Sequence, residues 1–196
     1  MKLAAIVAVM FCAIAQLSEA ALIGTNLGFE TVFQSLPTSQ EIKISSTQTV
    51  TVTEPGIEIP SVKALEVSNP SGLSLVDVSV NAGDAFIDIG FGNSAPFSLF
   101  ASGFRNSYLF TFDSAATPTI TSASIDRSLT TLGLSDSDVT FLGNKLEVNV
   151  EGLSFNPTTF VRIDLTSVNP VPLPPAVWLF GTGLAALVVT KKRKAS

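Results

Sequence analysis

Four aspartates carry the only spacing in this chain that invites a chemical reading. Asp84 and Asp88 stand four residues apart in "DAFIDIGF", which places both on one face of an extended strand. Two carboxylates lining one cleft, one protonated and one ionised, are what glycoside hydrolysis uses. In the same stretch, however, Ala85, Ile87, Ile89 and Phe91 occupy the inward positions. The aspartates therefore fall on the solvent side, where unpaired carboxylates are ordinary. Asp136 and Asp138 in "LSDSDVT" place oxygens at alternate loop positions, a spacing that suits Ca²⁺. The glycine and distal glutamate of an EF-hand loop are missing, so the calcium signal is weak. The rest of the inventory is thin. The chain has no histidine, which removes Ser-His triads and histidine metal sites. Its single cysteine, Cys12, lies in the first apolar stretch. No phosphate-cradling glycine loop or dinucleotide fingerprint occurs. The expectation is a protein with no catalytic residues, no metal and no cofactor.

The elements that would position these residues read as strands. "QTVTVTE" puts Val50 and Val52 on one face, and "SLVDVSV" does the same for Val76, Val78 and Val80. Tyr108, Phe110 and Phe112 align in "SYLFTFD". Leu146, Val148 and Val150 align in "KLEVNVE", and Val161, Ile163 and Leu165 in "FVRIDLT". Alternation of this kind marks half-buried strands, and its recurrence with Gly, Pro, Asn and Ser between runs favours an antiparallel β-sandwich. Gly143-Asn144 in "VTFLGNKLEV" reads as a two-residue hairpin turn. In "SIDRSLTTLG" the spacing of Ile125, Leu129 and Leu132 predicts one short helix closed by Gly133.

The two ends differ from the body. Lys2, the apolar run from Leu3 to Ala15 and the small residues of Ser18-Glu19-Ala20 form a secretory signal peptide pattern, with cleavage expected between Ala20 and Ala21. Removing that segment leaves no cysteine, so no disulfide is expected. At the other end, residues 175–190 carry no charge. At about 1.5 Å per residue a helix of that length is short for a hydrocarbon core of about 30 Å. Trp178 sits near one end, where an indole favours the membrane interface, and Lys191, Lys192, Arg193 and Lys194 fix the other end in the cytoplasm. Pro170, Pro172, Pro174 and Pro175 hold the preceding strip extended. The expected organisation is a signal peptide over 1–20, a secreted β-sandwich over 21–168, and a tail over 169–196 made of a proline strip, a short transmembrane helix and a basic stop.

"VPLPPAVWLFGTGLAAL" followed by "KKRK" closely resembles the PEP-CTERM sorting signal of bacterial exosortase substrates. Val171, Pro172, Leu173 and Pro174, then Trp178, Phe180, Gly181 and Gly183, stand where that pattern has them. The triplet here is Pro172-Leu173-Pro174, without the glutamate, and Pro175 and Thr182 replace small residues of the usual span. The resemblance covers Val171 to Lys194. It implies export through the Sec machinery, a transient stop in the inner membrane, and recognition and cutting by an exosortase-like membrane enzyme. Release to the cell surface or medium would follow, in a setting of extracellular polysaccharide or biofilm. The alternative is a permanently membrane-anchored periplasmic or surface binding module. A slighter echo of the same family lies at Phe104, Asn106 and Tyr108 in "GFRNSYLFTF".

Charge narrows the partners. Residues 21–170 hold six bases against fifteen acids, a net of −9, so the body repels nucleic acid. A polysaccharide platform would lean on exposed Trp or Tyr. The body offers only Tyr108, and its phenylalanines fall mostly at inward positions. The family setting invites polysaccharide as a partner, but no residues stand out to bind it.

Overall fold

In this computed structural model the described residues are 22–113 and 119–168. The signal-peptide and tail segments, with Ala20, the proline strip, Trp178 and the basic stop, lie outside them. Among the described residues no helix is long and apolar enough to cross a membrane.

The described chain is mainly β, and every pairing is antiparallel. In chain order the strands are β1 (Asn26–Gln34), β2 (Ile42–Lys43), β3 (Gln48–Thr51), β4 (Ser79–Ala82), β5 (Phe86–Gly90) and β6 (Ser98–Leu99). There follow β7 (Arg105–Phe112), β8 (Thr119–Ile125), β9 (Val139–Leu142), β10 (Lys145–Asn149), β11 (Ser154–Phe155) and β12 (Phe160–Val168). One sheet runs β2-β1-β7-β10-β9, with β3 sharing the β1 edge. The second runs β4-β5-β12-β8, and β6 pairs β11 as a small ribbon.

Inward residues of both sheets belong to one apolar cluster, giving a sandwich-like arrangement. Leu27, Phe29, Phe110, Leu146 and Val148 come from the larger sheet; Val80, Ile87, Ile89, Val161 and Ile163 come from the smaller. Aromatic contacts knit the layers. Phe29 stacks on Tyr108, Tyr108 meets the edge of Phe100, and Phe100 meets the edge of Phe91 beyond β5. Among the body phenylalanines, Phe97 and Phe104 are the exposed exceptions.

The hairpin at Gly143-Asn144 joins Leu142 to Lys145, with Gly143 at φ 65°. A glycine reaches that angle without steric cost, as the first position of a II′ turn requires.

Three sequence expectations are corrected. "SIDRSLTTLG" is not a helix. Ile125 continues β8 by pairing with Ile163, and Asp126 then turns the chain by accepting the Ser128 N–H at 2.8 Å and its hydroxyl at 2.6 Å. One bond from the Thr130 N–H to the Asp126 carbonyl forms a single helical turn that is not continued, because Thr131 N–H goes instead to Phe160 O. Val76 does not lie in a strand; β4 begins at Ser79, and residues 72–78 form an irregular cover. Finally, β7 is buried on both faces. Tyr108, Phe110 and Phe112 point inward as expected, but Ser107 and Leu109 on the opposite face are buried too. The Arg105–Glu147 pair lies over Ser107, whose hydroxyl donates to Glu147 at 2.6 Å.

Candidate functional site

Asp84 and Asp88 do not share a strand face, and Asp136 and Asp138 each have a partner in the protein. Asp84 lies in the bend between β4 and β5, so it does not share a strand face with Asp88. Its Oδ1 is buried without a hydrogen-bond partner, while its backbone carbonyl accepts the Leu22 N–H. Asp88 is in β5 but is not solvent-facing: it is 7 % exposed. Register places it opposite Arg162 of β12. Arg162 Nε and Nη2 donate to its two oxygens at 2.7 Å each, and the guanidinium carbon sits 4.0 Å from the centroid of the Phe86 ring. A planar fork matched to a carboxylate and stacked on an aromatic face is an arrangement arginine favours. With both oxygens engaged, Asp88 serves to lock β5 to β12. The expectation of a solvated aspartate fails because its partner lies 74 residues away in sequence.

Asp136 and Asp138 lie in a short 3₁₀ turn, and each carboxylate has a partner in the protein. Asp138 accepts the Ser135 N–H at 2.7 Å in a capping box, while Asp136 pairs with Arg127. That explains the Asp-Ser-Asp spacing without an ion. Among the described residues no three His, Cys, Asp or Glu side chains are grouped to hold a metal.

A site the strand patterns did not single out lies at the polar end of the core. Thr31 on β1 and Tyr108 on β7 are cross-strand partners, as are Phe33 and Asn106, so all four share the inner face. This face meets a cover made by irregular residues 73–76 and by residues 99–101 at the end of β6. Beside them a partly open pocket of about 210 Å³ is lined by this face, the cover and Ile44. Thr31 is 3 % and Tyr108 1 % exposed, yet neither Thr31 Oγ1 nor the Tyr108 hydroxyl has a hydrogen-bond partner. Leaving a buried hydroxyl unpaired costs about 1–3 kcal/mol. Burial pushes the Tyr108 phenol well above its ordinary range, and the charge of Asp77 adds to the rise. Asn106 is satisfied: its side-chain amide donates to Ala101 O at 3.2 Å, and its backbone N–H donates to Asn149 Oδ1 at 2.9 Å. Thr31 N–H donates to the buried Ser45 hydroxyl at 2.7 Å, which leaves Thr31 Oγ1 as the loose end. One signal was present in the sequence. Thr31 interrupts Phe29-x-Thr31-x-Phe33, and Asn106 opens the run that continues with Tyr108 and Phe110. Polar residues at core positions of a strand ask for a partner.

The cover is latched by charge. Lys63 Nζ donates to Glu66 at 2.9 Å and also to the Ser74 hydroxyl, while Glu66 Oε1 accepts the Leu75 N–H at 2.8 Å. Lys63 beside it, then the Leu75 amide and Ser74, hold the Glu66 carboxyl down to about 2. A carboxyl lowered in the folded state contributes its full stabilisation above its ordinary value of about 4.5 and loses it as pH falls through about 2. The Leu75 amide resonance is therefore expected to titrate with its midpoint at about pH 2 as the latch is protonated. Glu66→Gln should flatten that dependence. A Leu75 signal that moves identically in both proteins would rule out the latch.

Comparison with family models, with curated proteins and with solved structures finds no match to this chain.

Proposed function

We propose that the chain is an exported bacterial envelope or extracellular protein, sorted and cut by an exosortase-type membrane enzyme. In this reading the signal peptide over 1–20 is removed after Ala20. The tail halts in the inner membrane, and the body over 21–168 goes on to the cell surface or medium. There it acts as a structural module in a polysaccharide-rich matrix or biofilm. The body is a two-layer antiparallel sandwich and does no catalysis.

The observation that carries the proposal is the order of residues from Val171 to Lys194: proline strip, uncharged run with Trp178, Phe180, Gly181 and Gly183, then four bases. Each part has a physical task. Prolines keep Val171 to Pro174 extended, the conformation in which a processing enzyme reads a peptide. The run over 175–190 is apolar enough to enter a bilayer and short for a lasting span. Lys191 to Lys194 resist passage through hydrocarbon. The body is compatible with a structural role: Asp88 joins β5 to β12, Asp136 pairs with Arg127, and Asp138 caps its own turn.

The second reading, a permanently anchored binding module, gains from the partly open pocket lined by Leu73, Ser74, Leu99 and Ala101. Pro172→Ala with Pro174→Ala separates the two. Export and membrane insertion should continue while cutting falls at least about tenfold, so full-length chain accumulates in the membrane. Unchanged mature mass and location in that variant would mean the strip is not read, and a parent chain that is itself never cut would favour the anchored module.

A further inference from the structure

We infer that removal of the signal peptide creates a structural ion pair: the new ammonium of Ala21 docks on the Asp84 carboxylate at the β4–β5 bend and fixes the first residues of the body there. The inference rests on the export reading above, because only cutting after Ala20 makes that ammonium.

The carboxylate sets the first condition. Asp84 Oδ1 is buried with no hydrogen-bond partner. Among the described residues Lys43, Lys63, Arg105, Arg127 and Arg162 are all paired with other carboxylates, and no base pairs with Asp84. A covered carboxylate oxygen without a donor is costly, so the bend holds a place for a cation that the uncut chain does not supply. The residue as a whole is half-buried, so its carboxylate can be approached from the surface.

Leu22 sets the second condition. Its N–H donates to the Asp84 carbonyl at 3.1 Å, and its side chain is fully buried. Its own carbonyl accepts the Thr25 N–H at 2.9 Å and the Thr25 hydroxyl at 2.6 Å. The bend is held as firmly: Gly83 N–H donates to Phe86 O at 3.0 Å, and Leu165 N–H donates to Ala85 O at 2.8 Å. Three backbone bonds, about 4.3 Å of chain, join Leu22 N to the nitrogen of Ala21. One methylene joins the Asp84 carboxyl carbon to its own backbone. Ammonium and carboxylate therefore start on either side of a 3.1 Å bond, and rotations within Ala21 and the Asp84 side chain bring them together.

Hydrolysis supplies the charge. The oxygen of water joins the Ala20 carbonyl carbon, which becomes a carboxylate. The amide bond to Ala21 breaks, and both protons of the water go to the departing nitrogen, which leaves as an ammonium. An α-amino group ordinarily titrates at about 7.7–8.0, so it is a cation at pH 7. In the uncut chain the same nitrogen is an uncharged amide. Leu22, the second residue past the cut, would withhold the bond from a peptidase once docked, so cutting comes first and docking follows.

Protein recovered from the producing cells is labelled with carbonyl-¹³C alanine and ¹⁵N leucine. In the body only Leu22 and Leu65 follow an alanine, so two amides report through an Ala–Leu bond, and the Leu22 signal follows the neighbouring ammonium. Its titration midpoint should lie about one pH unit or more above 7.7–8.0, and Asp84→Asn should return it to that range. A group raised by the fold stabilises below its ordinary value and loses that contribution as pH climbs through the folded one. One pH unit is about a tenfold change in the folded-to-unfolded ratio, read by urea midpoints at pH 7 against pH 10. Inserting one glycine after Ala20 keeps Asp84 and moves the ammonium one residue away. It should lower the pH 7 midpoint to that of Asp84→Asn. A chain whose mass still begins at Met1 would end the export reading and this inference with it. A chain that begins at Ala21 yet titrates at about 7.7–8.0 both with and without Asp84 would overturn the ion pair alone. So would a glycine variant as stable as the parent at pH 7.

Discussion

Val148→Asp should leave no cooperatively folded protein under conditions where Asn149→Asp is close to normal. Val148 is fully buried on β10, with Tyr108 beside it on β7 and Val139 on β9. A carboxylate there has no partner, and an unpaired buried charge ranks among the largest single-residue penalties, upwards of about 4 kcal/mol. That is a large share of the margin of a small domain, about 5–15 kcal/mol. Asn149 points the other way. Its Oδ1 accepts the Asn106 N–H at 2.9 Å and the Glu151 N–H at 3.3 Å, and an aspartate oxygen can do the same. Urea unfolding followed by circular dichroism separates the two substitutions. Equal midpoints would mean that β10 is shifted by one residue, since a one-residue slip exchanges the faces.

The second large effect is expected at the Asp88–Arg162 lock. Arg162→Ala removes both 2.7 Å bonds to Asp88 and the contact with Phe86, and leaves a carboxylate in a largely covered position. Breaking one side of a buried pair costs about 3–5 kcal/mol; the guanidinium here is about a quarter exposed, which lowers the expectation to about 2–3 kcal/mol. Arg162→Lys should recover only part, because an ammonium lacks the two-pronged fit. Asp88→Leu with Arg162→Met should recover most of the loss, because no charge is then left unpaired. The same urea midpoints report all three. A double variant no more stable than Arg162→Ala would show that the loss comes from packing on Phe86 rather than from the stranded carboxylate.

What could be read in the sequence follows from how local each feature is. The inward rows Leu146-Val148-Val150 and Val161-Ile163-Leu165 are properties of single strands, and the structure buries them as the alternation requires. The turn at Gly143 is local too. Asp88 could not be read this way, because its burial is set by an arginine on another strand. Ser107 and Leu109 are buried for a similar reason: β7 sits between β1 and β10, and its outer face is roofed by side chains from neighbouring strands. In "SIDRSLTTLG" a helical spacing of three apolar residues lost to strand pairing at Ile125 and to the turn chemistry of Asp126. The cavity was half legible. Thr31 and Asn106 break the apolar rows, but which segment covers them depends on a loop that no periodicity describes.

The central claim is that the chain is exported and then severed at its tail. Intact mass of the protein recovered from culture supernatant and from membranes tests it most directly. The account predicts a released species that begins at Ala21 and ends within or near residues 171–174, with the full tail found only on a minor membrane-bound form. A protein found solely in membranes, with residues 175–196 still attached, would contradict it.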